Sequence, residues 1–364
     1  VQSSGQSSGQ SSGQSSGRPI GILYEHPEWF KLLFAELERR GVPYEPLYVD
    51  DHAFDPAQRE LPYSLVVNRV SPSSYLRDHA GSILYARQVL AYYRDLGIPV
   101  VNGYDAYTLE TSKALQLLLL QRLGLPYPRA RVVNHPSRLV AAAADLMYPV
   151  IVKPNVGGSG ALMQRFETPD ELAAAAAGGA IDFGIDRTAL VQEYLAPAGG
   201  NIVRVEVLNG ELLYAIKIYS DPDEGFNLCP ADICRVDAPP APPSAPAASA
   251  SEAGEACDFG VSAVARASTA APPVAKKPLR IEAYTPPAAV VVEAIALVRA
   301  GGLDIGGVEY LVAERDGRHY FYDLNALSNF VTDAPAVVGF DPTARFVDYL
   351  LRRAALPGRV PALV

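Results

Sequence analysis

The strongest constraint in the sequence is the pair Asn209-Gly210, set between the alternating stretches NIVRVEVL and ELLYAIKIY. Both residues readily take the left-handed backbone of a two-residue hairpin turn, and the flanking alternation has the period of a strand. Such a turn pairs Leu208 with Glu211, Arg204 with Ala215 and Ile202 with Lys217. Arg204, Glu206 and Lys217 then share one face, and Val203, Val205, Val207, Leu212, Tyr214, Ile216 and Ile218 share the other. The second set is a core surface. The first carries two cations and a carboxylate in mid-strand, which suits an ordinary solvated sheet face and equally suits a bound phosphate.

A second hairpin turns around Arg315-Asp316-Gly317. A three-residue turn with Gly317 in the left-handed position pairs Glu314 with Arg318, and therefore Glu309 with Asp323. Asp323 and Asn325 are two residues apart and share a face, so three oxygen donors converge. Two carboxylates and an amide oxygen suit Mg²⁺, which completes its shell with phosphate and water. A two-residue turn would put Glu309 on the opposite face, and an acidic surface hairpin fits the same residues. Against the surface reading, Asp323 and Asn325 sit in FYDLN among large apolar side chains.

A third signal is Lys153, at the end of the apolar run PVIVK and followed by Pro154 and NVGGSG. Glycines let backbone N–H groups approach an anion, and a lysine neutralises it. No Gly-Lys-Ser/Thr follows at P-loop spacing, and a glycine-rich turn alone often just joins two strands.

Around these signals, 364 residues allow two or three domains. Residues 2–17 are four copies of Gln-Ser-Ser-Gly, with nothing apolar to pack, so residues 1–18 read as a flexible linker or tag. Residues 19–105 alternate short apolar strands with helices, as a small α/β domain with a parallel sheet does. Residues 106–195 and 196–364 read as two further subdomains of mixed α+β type. Thr168, Pro169 and Glu171 mark a helix start between the glycine run and the strand at 189–195. Residues 238–278, rich in Ala, Pro and Ser, read as a mobile insertion.

The net charge of −9 argues against a nucleic-acid or anionic-membrane partner. No apolar run reaches bilayer length, since Glu293 interrupts 288–298. Three cysteines, Cys229, Cys234 and Cys257, are too few for a disulfide framework, so a reducing cytoplasm is the expected location. A homo-oligomer is compatible with all of this.

In chain order, Ser112-Lys113, VIVKPNVGGSG, VQEYL, NIVRVEV, FNLCP and GGVEYL…YDLN resemble the ATP-grasp superfamily, nearest its RimK-like, α-L-glutamate-ligase-like branch. VVNRVSPSSY and GIPVVNG upstream resemble that branch's substrate-side domain. The resemblance implies an ATP-grasp fold behind a parallel α/β pre-ATP-grasp domain. It implies an ATP-dependent carboxylate–amine ligase that forms an amide through an acyl phosphate, using ATP and two Mg²⁺ ions on a small-molecule, amino-acid or peptide substrate. Lys113 and Lys153 would hold the nucleotide, and Gly157, Gly158, Ser159 and Gly160 would cover its triphosphate. Gln192, Glu193 and Leu195 would receive adenine, and Arg204, with Lys217 and Asn227, would stabilise the transferring phosphoryl group. Glu309, Asp323 and Asn325 would hold the metal, and Arg69 a substrate carboxylate. The metal strand ends in Asp-Leu-Asn where the family usually has a glutamate, Glu309 stands where an aspartate is usual, and ALSNF replaces a serine-proline-glycine stretch. Glu206 on the cationic face is not a usual feature; pairing with Arg204 is favoured over holding a substrate ammonium. The alternatives are a catalytically silent ATP-binding regulatory or scaffold module, and phosphoryl transfer to a non-carboxylate substrate.

Overall fold

The computed structural model describes residues 17–219, 226, 228–231 and 279–356. The expectations for Asn227, for most of the Gln-Ser-Ser-Gly repeat and for 238–278 lie outside the described residues. Three sheets organise the described residues. The first is parallel and contains β1 (Ile20–Tyr24), β2 (Tyr44–Tyr48), β3 (Leu65–Arg69) and β4 (Val100–Val101), in the order β2-β1-β3-β4. Helices α1 (Lys31–Arg39) and α2 (Ala80–Asp95) connect its strands. Every residue of β3, and all but the last of β1, is buried. Strands covered on both faces read as apolar runs, as Ile20–Leu23 and Leu65–Val67 do, while Asn68 and Arg69 are buried polar ends of β3.

Helices α3 (Tyr104–Glu110) and α4 (Lys113–Leu123) follow. The second sheet is antiparallel, in the order β5-β8-β6-β7, from β5 (Ala130–Val133), β6 (Val150–Pro154), β7 (Gln164–Phe166) and β8 (Ala189–Glu193). Its helices are α5 (Leu139–Ala143) and α6 (Pro169–Ala177). α6 starts where the sequence indicates: Thr168 Oγ1 accepts the Glu171 N–H at 3.2 Å, with Pro169 in the first turn.

The third sheet, β9 (Asn201–Leu208), β10 (Glu211–Tyr219), β11 (Arg280–Ala283), β12 (Ile305–Val312) and β13 (His319–Asn325), is antiparallel in the order β11-β10-β9-β12-β13. Helix α7 (Ala288–Ala300) crosses from β11 to β12, and α8 (Ala334–Val338) and α9 (Pro342–Ala354) end the described chain. One face of this sheet packs Val203, Val205 and Val207 against Leu119 and Leu120 of α4 and Leu297 and Val298 of α7. The opposite face looks into a cavity.

The chain crosses its own sequence divisions twice. α4, placed with the second unit by sequence, packs on the third sheet. α9, placed with the third, packs Phe346, Val347 and Leu350 on the first sheet beside Ile20, Ile22, Leu33 and Leu65. Among the described residues no helix is long and apolar enough to cross a membrane.

Asn102, at the end of β4, joins the first unit to the third. Its Nδ2 donates to the carbonyls of Ile305 (2.8 Å) and Ala326 (2.5 Å), and its Oδ1 accepts the N–H groups of Asp304 (2.9 Å) and Ile305 (3.3 Å). These are backbone groups at the start of β12 and just past the end of β13, and Asn102 is 2% exposed. The backbone there has a φ of 53°, which asparagine tolerates better than most residues. Truncating the side chain strands several buried backbone groups, each costing about 1–3 kcal/mol. Asn102→Ala therefore lowers stability by about 3 kcal/mol or more, read as a drop in the urea midpoint at unchanged slope.

Candidate active site

Strand register builds the site. Arg204 on β9 lies opposite Glu309 on β12, which lies opposite Asp323 on β13. Two residues along, Glu206 lies opposite Gly307, which lies opposite Asn325. Directly paired antiparallel residues share a face, so five polar side chains form two rows on the cavity side of one sheet. The pairing of Glu309 with Asp323 is the one anticipated, reached by another route. The hairpin closes one residue earlier, with Val312 opposite His319, and a bulge at Tyr322 restores the expected alignment.

The same kind of irregularity corrects the first hairpin. Asn209 and Gly210 have φ values of 54° and 71° and make the two-residue turn, with Leu208 opposite Glu211. A bulge at Leu213 then shifts the pairing, so Arg204 faces Ile216 and Lys217 faces Val203. Lys217 is thus on the other side of the sheet from Arg204, with its ammonium 4.5 Å from the Tyr284 ring centre. Tyr214, Ile216 and Ile218 likewise change faces.

The charges in the rows are paired. Arg204 donates from Nε to Glu206 Oε1 at 2.5 Å and from Nη1 to Glu309 Oε1 at 2.9 Å. Burial works against its charge, but the two carboxylates keep the guanidinium protonated. Gly307 leaves room for this: a Cβ there would sit 2.4 Å from an Arg204 nitrogen. Burial raises the Glu309 carboxyl, with Arg204 opposing. Asp323, also buried, is nonetheless held below the usual carboxylate range by Lys113 and Lys153.

The two lysines come from different elements and are brought together by Asn155. Its carbonyl accepts the Lys113 N–H at 3.1 Å and its Oδ1 accepts the Ala114 N–H at 2.8 Å, fixing the start of α4 beside the end of β6. Lys113 Nζ donates to Asp323 Oδ1 at 2.6 Å. Lys153 is 4% exposed and makes no ion pair among the described residues. Burial and the nearby Lys113 push its ammonium down to about 7.

The glycine loop closes against the first unit. Gly157 lies under the Tyr75 hydroxyl, Gly158 lies beside Ser73, and Gly160 (φ 67°) lies against the Phe226 carbonyl; Ser159 has a φ of 55°. At Gly157 and Gly160 a side chain would collide. Gln192, Glu193 and Leu195 line the opposite end. The Glu193 carboxylate is turned to structural partners, the Met147 N–H at 3.1 Å and Arg315 at 3.0 Å. Gln192 Oε1 is buried there without a hydrogen-bond partner among the described residues.

Arg69 does not line the cavity. Its Nη2 donates to the Ser328 carbonyl at 2.7 Å, and its guanidinium lies 4.9 Å from the Phe30 ring centre. It fastens the first unit to the loop after β13. Three features escaped the sequence. Glu110, whose carboxylate accepts the Ala326 N–H, lines the cavity and is pushed up to about 7 by burial. Ser328 bonds Glu206. Trp29 and Ser73 form the wall from the first unit, past the carboxyl ends of parallel strands where open α/β sheets place ligands. Ser73 lies in VVNRVSPSSY and Ser328 in ALSNF, but neither stretch by itself marks its serine; the fold brings all four together.

The resulting cavity, about 390 Å³, has a cationic, glycine-covered end and an acidic sheet face. Glu309, Asp323 and Asn325 fit a hard divalent cation: Asn325 lies 3.5 Å from Glu309 Oε1, and turning its amide over presents an oxygen instead. No group of three or more His, Cys, Asp or Glu side chains forms a metal cage among the described residues.

A model of the RimK-like ATP-grasp domain matches residues 110–227. The chain is 29% identical over 176 residues to a probable α-L-glutamate ligase of Teredinibacter turnerae, covering 47% of this chain and 55% of that protein. It is 36% identical over 118 residues to a D-alanine–D-alanine ligase of Ectopseudomonas mendocina, covering 32% and 36%. The chain thus spans about half the length or less of these curated relatives. Among solved structures, the ATP-grasp ligase PsnB complexed with minimal precursor superposes with a TM-score of 0.61 at 19% identity, over 92% of this chain and 99% of that one. The D-cycloserine synthetase DcsG gives 0.62 at 17%, over 92% and 99%. Three sheets around one charged cavity, the matched segment and these likenesses agree: residues 110–227 match the RimK-like ATP-grasp domain, and the chain has the fold of the ATP-grasp ligases.

Proposed function

We propose that the protein is an ATP-dependent carboxylate–amine ligase. The observation that carries this reading is the row Arg204–Glu309–Asp323, set across from Lys113 and Lys153 in one cavity. A substrate carboxylate oxygen attacks the γ-phosphorus of ATP and displaces ADP, giving an acyl phosphate. An amine then attacks the acyl carbon, phosphate leaves, and the amine loses a proton. Phosphoryl transfer of this kind needs positioning and charge neutralisation rather than a protein nucleophile. Lys153 and the glycine loop hold the triphosphate, Gln192 and the backbone beside it hold the base, and Arg204 meets charge on the transferring group. Mg²⁺, two ions in the family resemblance, would sit on Glu309, Asp323 and Asn325 and neutralise phosphate oxygens. Lys113 and Arg204, which pair with Asp323 and Glu309, would then exchange those carboxylates for phosphate. The amine and carboxylate are amino acids or peptides, as the relatives' names suggest, and an ATP-supplied cytoplasm suits the reaction. ATP incubated with pooled amino acids and dipeptides should release ADP and yield a product lighter than its two components by one water in a mass spectrum. ATP binding with no ADP release from any pool would favour the silent module.

Lys153 gives nucleotide binding a pH dependence. A lysine lowered to about 7 is largely neutral at pH 8 and charged at pH 6. Triphosphate beside it favours the ammonium, so binding takes up a proton at pH 8 and none at pH 6. Mg-ATP affinity therefore falls as pH rises through 7. Calorimetry in buffers of different ionisation enthalpy measures the uptake. Lys153→Met should weaken binding and abolish the uptake, which separates Lys153 from Glu110.

Asp323→Asn should leave the fold intact. It should raise the Mg²⁺ needed for half-maximal turnover at least about tenfold, the loss that removing even an outer-shell partner can cause. A metal titration of ADP release measures this, and an unchanged midpoint would remove Asp323 from the metal set.

A further inference from the structure

Glu206 and Ser328 are both 0% exposed and lie next to Arg204. Glu206 divides its carboxylate between two protein donors: Oε1 takes Arg204 Nε at 2.5 Å and Oε2 takes the Ser328 hydroxyl at 2.5 Å. With both oxygens engaged and no exposed surface, it is not placed to hold a substrate ammonium. Ser328 is fixed from its other side, because its carbonyl accepts Arg69 Nη2 at 2.7 Å, and Arg69 is stacked between Phe30 and Phe346. A continuous polar chain thus runs from the first sheet through Arg69, Ser328 and Glu206 to Arg204.

The ligase reading gives this chain a task. Glu309 accepts Arg204 Nη1 at 2.9 Å and is also a proposed metal donor. If Glu309 were the sole carboxylate on Arg204, cation and metal would compete for it, and the guanidinium would lose its anchor when the metal arrived. We propose, resting on that reading, that Glu206 and Ser328 are positioning residues: they hold Arg204 by its Nε edge, so that Nη1 is released toward the transferring phosphoryl group while the side chain stays in place. Gly307 provides the flat floor on which the guanidinium lies. An aligned donor in a water-poor site contributes most when it is already oriented before the charge develops. The loop of Ser328 follows Asn325 directly, so the metal row and its arginine share one support.

The test follows the arginine Nε–Hε cross-peaks of ¹⁵N-labelled protein, with Arg204 assigned through Arg204→Lys. Calorimetry with Mg-ADP runs in parallel. In the wild type the Arg204 peak should persist both without ligand and with Mg-ADP. In Ser328→Ala it should broaden beyond detection once Mg-ADP is bound, and Ser328→Thr should restore it. Glu206→Gln should lose the peak in both states; the serine variants keep the test intact if that protein does not fold. A Ser328→Ala peak that survives Mg-ADP, or a wild-type peak lost with it, overturns the positioning role alone. A folded wild type that binds no Mg-ADP overturns the ligase reading and this proposal together.

Discussion

The structure depends on the burial of charge on one sheet face. Arg204, Glu206, Glu309 and Asp323 sit on adjacent strands where water is scarce, and an unpaired charge there would cost several kcal/mol. Each is therefore tied to an opposite charge: Arg204 to Glu206 and Glu309, and Asp323 to Lys113. Much else follows. Lys113 must arrive on a helix whose start is held by Asn155, the residue that leads into the glycine loop. Gly307 must lack a side chain. The loop after β13 must be held by Glu110, Asn102 and Arg69, from three different places in the chain. Among the described residues the sheet face is thus a network of ion pairs, with Lys153 left beside it as a buried cation outside the pairing.

Local signals carried most of the elements and half of the geometry. The Asn209-Gly210 turn, the Thr168 cap and the glycine run were legible because each rests on the backbone preferences of a few adjacent residues. The faces of β10 were not. A single extra residue at Leu213 reverses every side chain beyond it, and nothing in ELLYAIKIY marks the bulge. Lys217 was misplaced for that reason alone. The second hairpin shows the opposite case, since an unforeseen bulge at Tyr322 offset a turn read one residue short and returned Glu309 to Asp323. Glu110, Ser328 and Arg69 take their roles from contacts more than a hundred residues away, which no local pattern records.

The helix α9 has a consequence for how the chain acquires its shape. The parallel sheet is built from residues 20–101, yet one of its faces is covered by Phe346, Val347 and Leu350. Leu33 and Leu37 of α1 cover part of that face early, but the part under α9 stays open during synthesis until nearly everything described here has left the ribosome. Parallel pairing is slow to form, and a bare apolar face is prone to stick to other chains. The first-made sheet is therefore the last to be sealed, and the newborn chain spends most of its elongation with that surface open to chaperones and to its neighbours on the same message.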